Sequence, residues 1–261
     1  RKRCRGEQFL RFPALLLMSQ LSVNALLYGL SPPPPPSNQN ALHRTPMSLA
    51  RGTPLLPFGV SIVLIIGGLS LTLARSLESS SGVHVMTLLP VGLGLVLLML
   101  LLWFFRDPER TCGQGVVSAA DGTVTHVEQR QDGVRVNVFM SPLNVHVNRA
   151  PLAGRVVSVT HHPGGHVPAF SKDSERNERV VVEWSTDIGS VTTVQIAGSL
   201  ARRIVPYISA GDEIAKGERF GLIRLGSRLD HHLPAGCESV VRKGDRVIAG
   251  VSTIARMRGE K

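Results

Sequence analysis

Two strongly apolar stretches of the chain hold no charged side chain. Residues 54–74 contain no Asp, Glu, Lys or Arg, and neither do residues 84–105. At about 1.5 Å of rise per residue, a helix over either one crosses a hydrocarbon layer of about 30 Å. Neither stretch has a polar face, which favours lipid over burial against a soluble domain. A short polar segment, 75–83, separates them. Trp103, Phe104 and Phe105 stand where an interfacial aromatic belt is expected, and Arg44, Arg51, Arg106 and Arg110 flank the pair. Positive charge at both ends marks a hairpin whose ends are both cytoplasmic. Residues 51–105 are therefore expected to form a two-helix anchor in the cell membrane, with the rest of the chain on the cytoplasmic side.

After Arg106 the pattern becomes that of strands. Residues 123–129 and 134–140 are rich in β-branched side chains, and Asp132-Gly133 between them is a hairpin signal. Further strands are expected at 155–160, 180–185, 191–197, 218–225 and 247–251, with glycine-containing turns between most of them. Only 199–208, around Arg202 and Arg203, reads as helical. A weak repeat relates Ala210-Gly211-Asp212-Glu213-Ile214-Ala215-Lys216-Gly217 to Lys243-Gly244-Asp245-Arg246-Val247-Ile248-Ala249-Gly250. Each copy is a Gly-Asp turn, a short apolar strand and another Gly. Residues 106–261 are thus expected to be mainly β, a flattened β-sandwich or barrel-sandwich hybrid resembling biotinyl and lipoyl domains. A carrier function does not follow, because no Lys sits in the hairpin-tip context that carriers modify. Residues 1–50 read as a poorly structured extension or an over-long gene model. They contain a signal-like apolar stretch at 12–30 and five prolines from Pro32 to Pro36, and Met47 reads as the start.

Composition narrows the partners. Of the net charge of +10, residues 1–105 contribute eight Lys/Arg against two Asp/Glu, so the excess gathers near the apolar half. That favours anionic lipid. Aromatic residues are 5% and no basic stripe is interleaved with them, so nucleic acid is not an expected partner. The three cysteines, Cys4, Cys112 and Cys237, form no C-x-x-C pair, which excludes a disulfide framework and a cysteine zinc site. His161, His162 and His166 lie in a Gly-rich stretch expected to be a mobile loop over the site. With His231-His232 they have no acidic partner at ligand spacing, and no metal is expected.

Three clusters carry candidate chemistry. They are Ser118-Ala119-Ala120-Asp121-Gly122, the run from Phe139 to Pro151 around His146, and the run from Gly221 to Asp230 around Gly226-Ser227. Taken singly, each has a bland reading: a turn before a strand, a packed histidine between valines, a loop Gly-Ser. Together they carry a resemblance. Phe104-Phe105-Arg106-Asp107-Pro108-Glu109-Arg110, Asp121-Gly122, the His146 segment, Asn177-Glu178-Arg179, Gln195-Ile196-Ala197-Gly198 with Ala201-Arg202-Arg203-Ile204, and Gly217-Glu218-Arg219 leading to Gly226-Ser227-Arg228 occur in collinear order over about residues 84–255. In this the chain resembles phosphatidylserine decarboxylases of the short type, pyruvoyl-dependent membrane enzymes.

The resemblance implies a definite chemistry. Decarboxylating an amino acid needs an electron sink that no ordinary side chain supplies. In the family the sink is a pyruvoyl group made from a serine. Here that implies attack of Ser227 on the Gly226 carbonyl, cleavage between Gly226 and Ser227, and a pyruvoyl group at 227 that forms a Schiff base with the substrate amine. It also implies a base system of Asp121 and His146, and a substrate of phosphatidylserine converted to phosphatidylethanolamine. The mature protein would be a β chain ending at Gly226 and an α chain starting at 227, associated as a heterodimer or a higher oligomer. Longer relatives carry a second His three positions after the first; here that position is Arg149, a candidate for the lipid phosphate. Asn144 stands where an Asp is usual. Two other functions compete: decarboxylation of another serine-headed lipid, such as an ether-linked one, and a non-catalytic membrane-anchored adaptor. The adaptor reading calls for an exported domain and a long coiled-coil hairpin, and neither is visible.

Overall fold

The structure is a computed structural model that describes residues 48–78, 85–165, 176–198, 203–224 and 226–259. Residues 1–47, with the 12–30 stretch and the proline run, lie outside the described residues, as do most of the 75–83 link and His166.

The uncharged stretches are helices: α1, Leu55–Glu78, and α2, Val85–Phe104. By length and composition both can cross a membrane. Their leucines, isoleucines and valines are largely exposed, Leu56, Val63, Leu89 and Met99 among them. A soluble domain would not leave two such surfaces bare. The helices pack on each other through small residues. A Cβ on Gly94 would meet the Ser61 carbonyl oxygen at 2.8 Å, and one on Gly68 would meet Val91 at 2.6 Å. Thr72 Oγ1 donates to Thr87 Oγ1 at 2.9 Å across the same seam. Small residues and interhelical hydroxyl bonds are how apolar helices associate in lipid, where hydrophobic burial offers nothing.

A five-residue tether then stitches the anchor to the β domain. Strand β1 (Ser48–Leu49) pairs with β2 (Arg106–Asp107). Asp107 holds Arg149 at 3.1 Å and Arg219 at 2.5 Å, Glu109 holds Arg219 at 2.7 Å, and Arg110 grips Asp121. Asp107 and Glu109 thus converge on Arg219, while Asp107 also reaches Arg149 and Arg110 reaches Asp121.

The domain is mainly β. The remaining strands are β3 (Val116–Val117), β4 (Gly122–Arg130), β5 (Gly133–Met140), β6 (Val147–Arg149), β7 (Gly154–His162), β8 (Arg179–Thr186), β9 (Gly189–Ile196), β10 (Ile204–Pro206), β11 (Glu213–Ile214), β12 (Arg219–Ile223), β13 (Ser227–Pro234), β14 (Cys237–Ser239), β15 (Arg246–Val247) and β16 (Thr253–Met257). One curled sheet runs β11-β7-β8-β9-β13-β5-β4-β15, and two small sheets, β10-β12-β6 and β14-β16-β3, complete the layers. Between them lies a core with Trp184 edge-on to Phe220, ring centroids 5.2 Å apart.

The repeat occupies the two opposite edges of the large sheet. Gly211 and Gly244 take φ of 97° and 100°, a region open mainly to glycine. Asp212 and Asp245 each accept a backbone N–H from three residues earlier, Ser209 at 2.8 Å and Arg242 at 2.7 Å. The strands that follow are β11 and β15, the first and last of the sheet.

Two expectations need correction. Ile204–Pro206 is an edge strand paired with β12, not part of a helix, and 199–202 lie outside the described residues. Pro206 has no N–H to give, and an edge position tolerates that. The expected strand at 247–251 is only Arg246–Val247 before a turn.

Candidate active site

Two connections between the same pair of sheets frame the site. The chain leaves the large sheet at Met140, turns through residues 141–146 and enters β6. It later leaves β12 at Ile223, passes residues 224–226 and re-enters the large sheet as β13. In the large sheet Ser227 is paired with Met140; in the small sheet Leu222 is paired with Val147. The Ile223 N–H donates to the His146 carbonyl at 3.2 Å. The connections therefore run side by side, one bearing His146 and the other the Gly226-Ser227 bond, although the two are far apart in sequence.

The first connection is a closed turn. The Asn144 N–H donates to the Ser141 carbonyl at 2.9 Å. Asn144 Oδ1 in turn accepts from the Ser141 N–H at 2.9 Å and its hydroxyl at 2.8 Å. The Asn144 carbonyl lies 2.9 Å from His146 Nδ1. A carbonyl only accepts, so Nδ1 carries the proton and Nε2 presents a lone pair. That Nε2 is buried and has no hydrogen-bond partner among the described residues. Burial pushes the His146 pKa down to about 4; the Asn144 carbonyl and the charge of Asp121 oppose the shift, and Arg106 adds to it. The imidazole is thus a neutral base at physiological pH. Against it packs Phe104, the last residue of α2, with ring centroids 4.3 Å apart. Around it Phe105, Val145, Val147 and Leu222 form a second apolar cluster that joins the helices to the domain.

On the second connection, Gly226 has φ of 63°, and a Cβ there would meet nothing within 4 Å. Left-handed backbone and open space leave its carbonyl carbon uncrowded. Ser227 opens β13 fully buried, and its Oγ has no partner among the described residues. A buried hydroxyl without a bond costs free energy, which makes it a marker of function.

Asp121 is placed differently from the implied triad. Its carboxylate takes both terminal nitrogens of Arg110, at 2.5 and 2.8 Å, and the Ala249 N–H at 2.8 Å. Its charge reaches His146, but no hydrogen bond joins them. Arg149 is not presented to a headgroup. It is buried, donating to Asp107 at 3.1 Å, to the Pro108 carbonyl at 2.9 Å and to the Gly217 carbonyl at 3.1 Å. The position of the missing second histidine is therefore a structural cation.

Two other histidines are accounted for locally. His231 Nε2 accepts the Ala119 N–H at 2.8 Å while Nδ1 faces the Val136 carbonyl at 3.1 Å, so it fixes the loop that leads to Asp121. His161 pairs with Glu178 at 3.0 Å. The sequence placed Phe104 in a motif and noted Asn144 where an Asp is usual, but it gave neither a role at the site. Nor did it single out Gln195, whose Nε2 donates to Asn148 at 2.8 Å and whose buried Oε1 has no partner. Only its place in the Gln195-Ile196-Ala197-Gly198 motif pointed to it.

Comparison with known proteins gives the family. The family model described as phosphatidylserine decarboxylase matches residues 97–255. The chain belongs to the phosphatidylserine decarboxylase family. It is therefore placed among carboxy-lyases. It is 48% identical over 226 residues to a phosphatidylserine decarboxylase proenzyme of Streptomyces avermitilis, covering 85% of this chain and 99% of the relative. Identity rises to 59% over 158 residues with the proenzyme of Streptomyces coelicolor, covering 60% of this chain and 72% of that one. A relative from Methanococcoides burtonii, provisionally named an archaetidylserine decarboxylase proenzyme, is 49% identical over 172 residues, 65% of this chain and 81% of its own.

Proposed function

We propose that this chain is a proenzyme that cuts itself between Gly226 and Ser227 and then decarboxylates phosphatidylserine to phosphatidylethanolamine at the cytoplasmic face of a membrane. The observation that carries the reading is the pair of buried, unpartnered atoms on adjacent connections, the Ser227 hydroxyl and His146 Nε2. In the cut, Ser227 Oγ attacks the Gly226 carbonyl carbon, its proton passes to His146 Nε2, and the C–N bond breaks as an ester forms and the amine takes the proton. Loss of the 227 Cα proton then expels the Gly226 carboxylate. Hydrolysis of the remaining dehydroalanine consumes water, releases ammonia and leaves a pyruvoyl group. A base beside a weak nucleophile is what such attack needs.

The residues present fit that group. Position 227 is buried, Gly226 leaves open space before it, and His146 is held neutral with a free lone pair. The pyruvoyl group supplies the electron sink for decarboxylation. The chain supplies the rest. Phe104 and the apolar cluster exclude water from His146, which strengthens every electrostatic effect there. His146 is placed to hold or return a proton at the reacting carbon. Asp121 acts on it through its field.

Membrane anchoring puts the site where a lipid headgroup arrives, since His146 touches the end of α2. Mass spectrometry of the purified protein tests the proposal. Two chains are expected, one ending at Gly226 and one starting at 227 with a blocked N-terminus that reacts with hydroxylamine. Full-length, active protein would overturn it. An archaetidylserine headgroup presents the same serine, so the two lipids are to be assayed side by side.

A further inference from the structure

Anionic lipid needs a cation at the site, and Arg149 is spent internally. Two other guanidinium groups stand on or against the connections that frame the site. Arg106 follows α2 directly. It donates to the Trp103 carbonyl at 2.6 Å and to the Leu143 carbonyl at 2.8 Å, on the same turn that carries His146. Its guanidinium carbon lies 4.1 Å from the centre of the Trp103 ring. Its charge acts on His146. Arg224 starts the other connection, two residues before Gly226. Its terminal nitrogen donates to the Gly52 carbonyl at 2.6 Å, ahead of α1, while its Nε is buried with no partner.

Both arginines bond only to backbone carbonyls through these nitrogens. Among the described residues, neither has a carboxylate within ion-pair distance, unlike Arg110, Arg149, Arg219 and Arg228. A carbonyl satisfies a donor without neutralising the charge. Arg106, bonded to the first connection, and Arg224, on the second, thus bring two guanidinium groups without an ion-pair partner to the end of the apolar helices. Arg224 also keeps a buried N–H aimed at no acceptor, which is costly unless a ligand supplies one. Trp103 and Leu143 stand exposed beside Arg106, as residues at a lipid–water boundary do.

We propose that Arg106 and Arg224 form the headgroup site, taking a phosphodiester monoanion beside the two connections that carry His146 and Ser227. This rests on the decarboxylase reading and deepens it. Guanidinium suits phosphate oxygens, whose hydrogen bonds become charge-assisted there. The serine carboxylate, which must lose its charge as carbon dioxide, is left to the apolar wall of Phe104. The site reads a phosphodiester and an amine at fixed spacing, not the acyl or ether chains beyond.

The test uses the full-length protein in detergent and two backgrounds. Arg106→Gln and Arg224→Gln keep a donor for the carbonyls and remove the charge. In the self-cleaving background both variants are expected to yield two chains as the parent does. Their KM for phosphatidylserine in mixed micelles should rise at least tenfold, with kcat changed less than threefold. In the uncleaved Ser227→Ala background, binding of a short-chain phosphatidylserine is measured by calorimetry, and each charge removal should weaken it at least fivefold. Arg106→Lys should recover part of the loss. Water-soluble glycerophosphoserine serves as a third probe. Competition by it with the parent, lost in the variants, assigns the arginines to the phosphodiester itself; competition unchanged in the variants, with KM raised, would place their action on the membrane surface and overturn the proposal. Unchanged KM and unchanged binding would also overturn it. If a variant fails to cleave, the Ser227→Ala binding arm decides. If the parent itself neither cleaves nor decarboxylates, the functional reading fails, and the binding arm still judges the headgroup site separately.

Discussion

The ring of Phe104, the last residue of α2, lies 4.3 Å from the ring of His146, centre to centre. The apolar helix hairpin and the proposed base are therefore parts of one packed unit. Phe104 is 8% exposed and covers an imidazole that is wholly buried. Phe104→Ala is expected to cost about 3 kcal/mol of stability, in the range for truncating a buried aromatic. It should also admit water to His146 and raise its pKa toward the ordinary value, because desolvation is the main cause of the shift. The check is the pH midpoint of self-cleavage, which should move upward in Phe104→Ala and much less in Phe104→Leu.

The pH dependence follows from the same burial. The His146 pKa is pushed down to about 4 from an ordinary 6.5, so the neutral, proton-accepting form persists well below neutrality. Self-cleavage of the precursor should hold its rate from pH 8 to about pH 5.5 and fall through a midpoint near 4; a midpoint near 6.5 would contradict the buried geometry. Stability moves with the same sign. The unfolded chain binds protons at His146 and His231 between about pH 6.5 and 4 while the folded chain does not. Their contribution is complete above 6.5 and is lost as pH falls toward 4. Circular dichroism of the Ser227→Ala precursor over the same range separates unfolding from loss of the base.

Arg110 and Asp121 are 9% and 12% exposed at their side chains and share two hydrogen bonds. Asp121→Asn leaves Arg110 as a poorly compensated, nearly buried charge and should cost about 3 kcal/mol. Arg110→Met with Asp121→Asn should recover a good part of that loss, because no charge is then stranded. Self-cleavage reports the electrostatic role. Asp121 favours the protonated imidazole, so removing its charge should slow cleavage roughly tenfold even in the stabilised double variant. Thermal melts and a gel time course measure the two effects independently.

How much of this was legible beforehand depended on whether a residue's neighbours in space were also its neighbours in pattern. The helices were readable because lipid selects for uninterrupted apolar runs, and 54–74 and 84–105 are such runs. The hairpin at Asp132-Gly133 was readable because turn chemistry is local. Strand β13 was not. It begins at Ser227 and runs through Arg228, Asp230, His231 and His232, which alternate poorly and look like loop. They are buried because Arg228 and Arg135 both reach Asp230 and because His231 is bonded at each ring nitrogen. The same limit applies at the site. His146 and Ser227 stood out by motif. That Asp121 serves Arg110, and that Arg149 serves Asp107, depends on contacts across more than one sheet, which no spacing in the sequence encodes.

The anchor offers a test with internal controls. A Cβ on Gly94 would fall 2.8 Å from both the Ser61 carbonyl oxygen and Ile65, whereas one on Gly92 or Gly67 would meet nothing within 4 Å. All three glycines are in apolar helices, so hydropathy does not distinguish them. Close packing does. Gly94→Ile forces α1 and α2 apart and should cost about 2 kcal/mol of hairpin stability, in the range of overpacking. Gly92→Ile and Gly67→Ile only enlarge surfaces that already face outward and should change it little. Because α2 ends at Phe104 against His146, the displacement should reach the site: slower self-cleavage is expected in Gly94→Ile but not in the other two. Melting in detergent and the cleavage time course, measured on all three, check this. Equal behaviour of the three variants would mean that α1 and α2 are independent in the membrane, and that the contact of Phe104 with His146 does not depend on their packing.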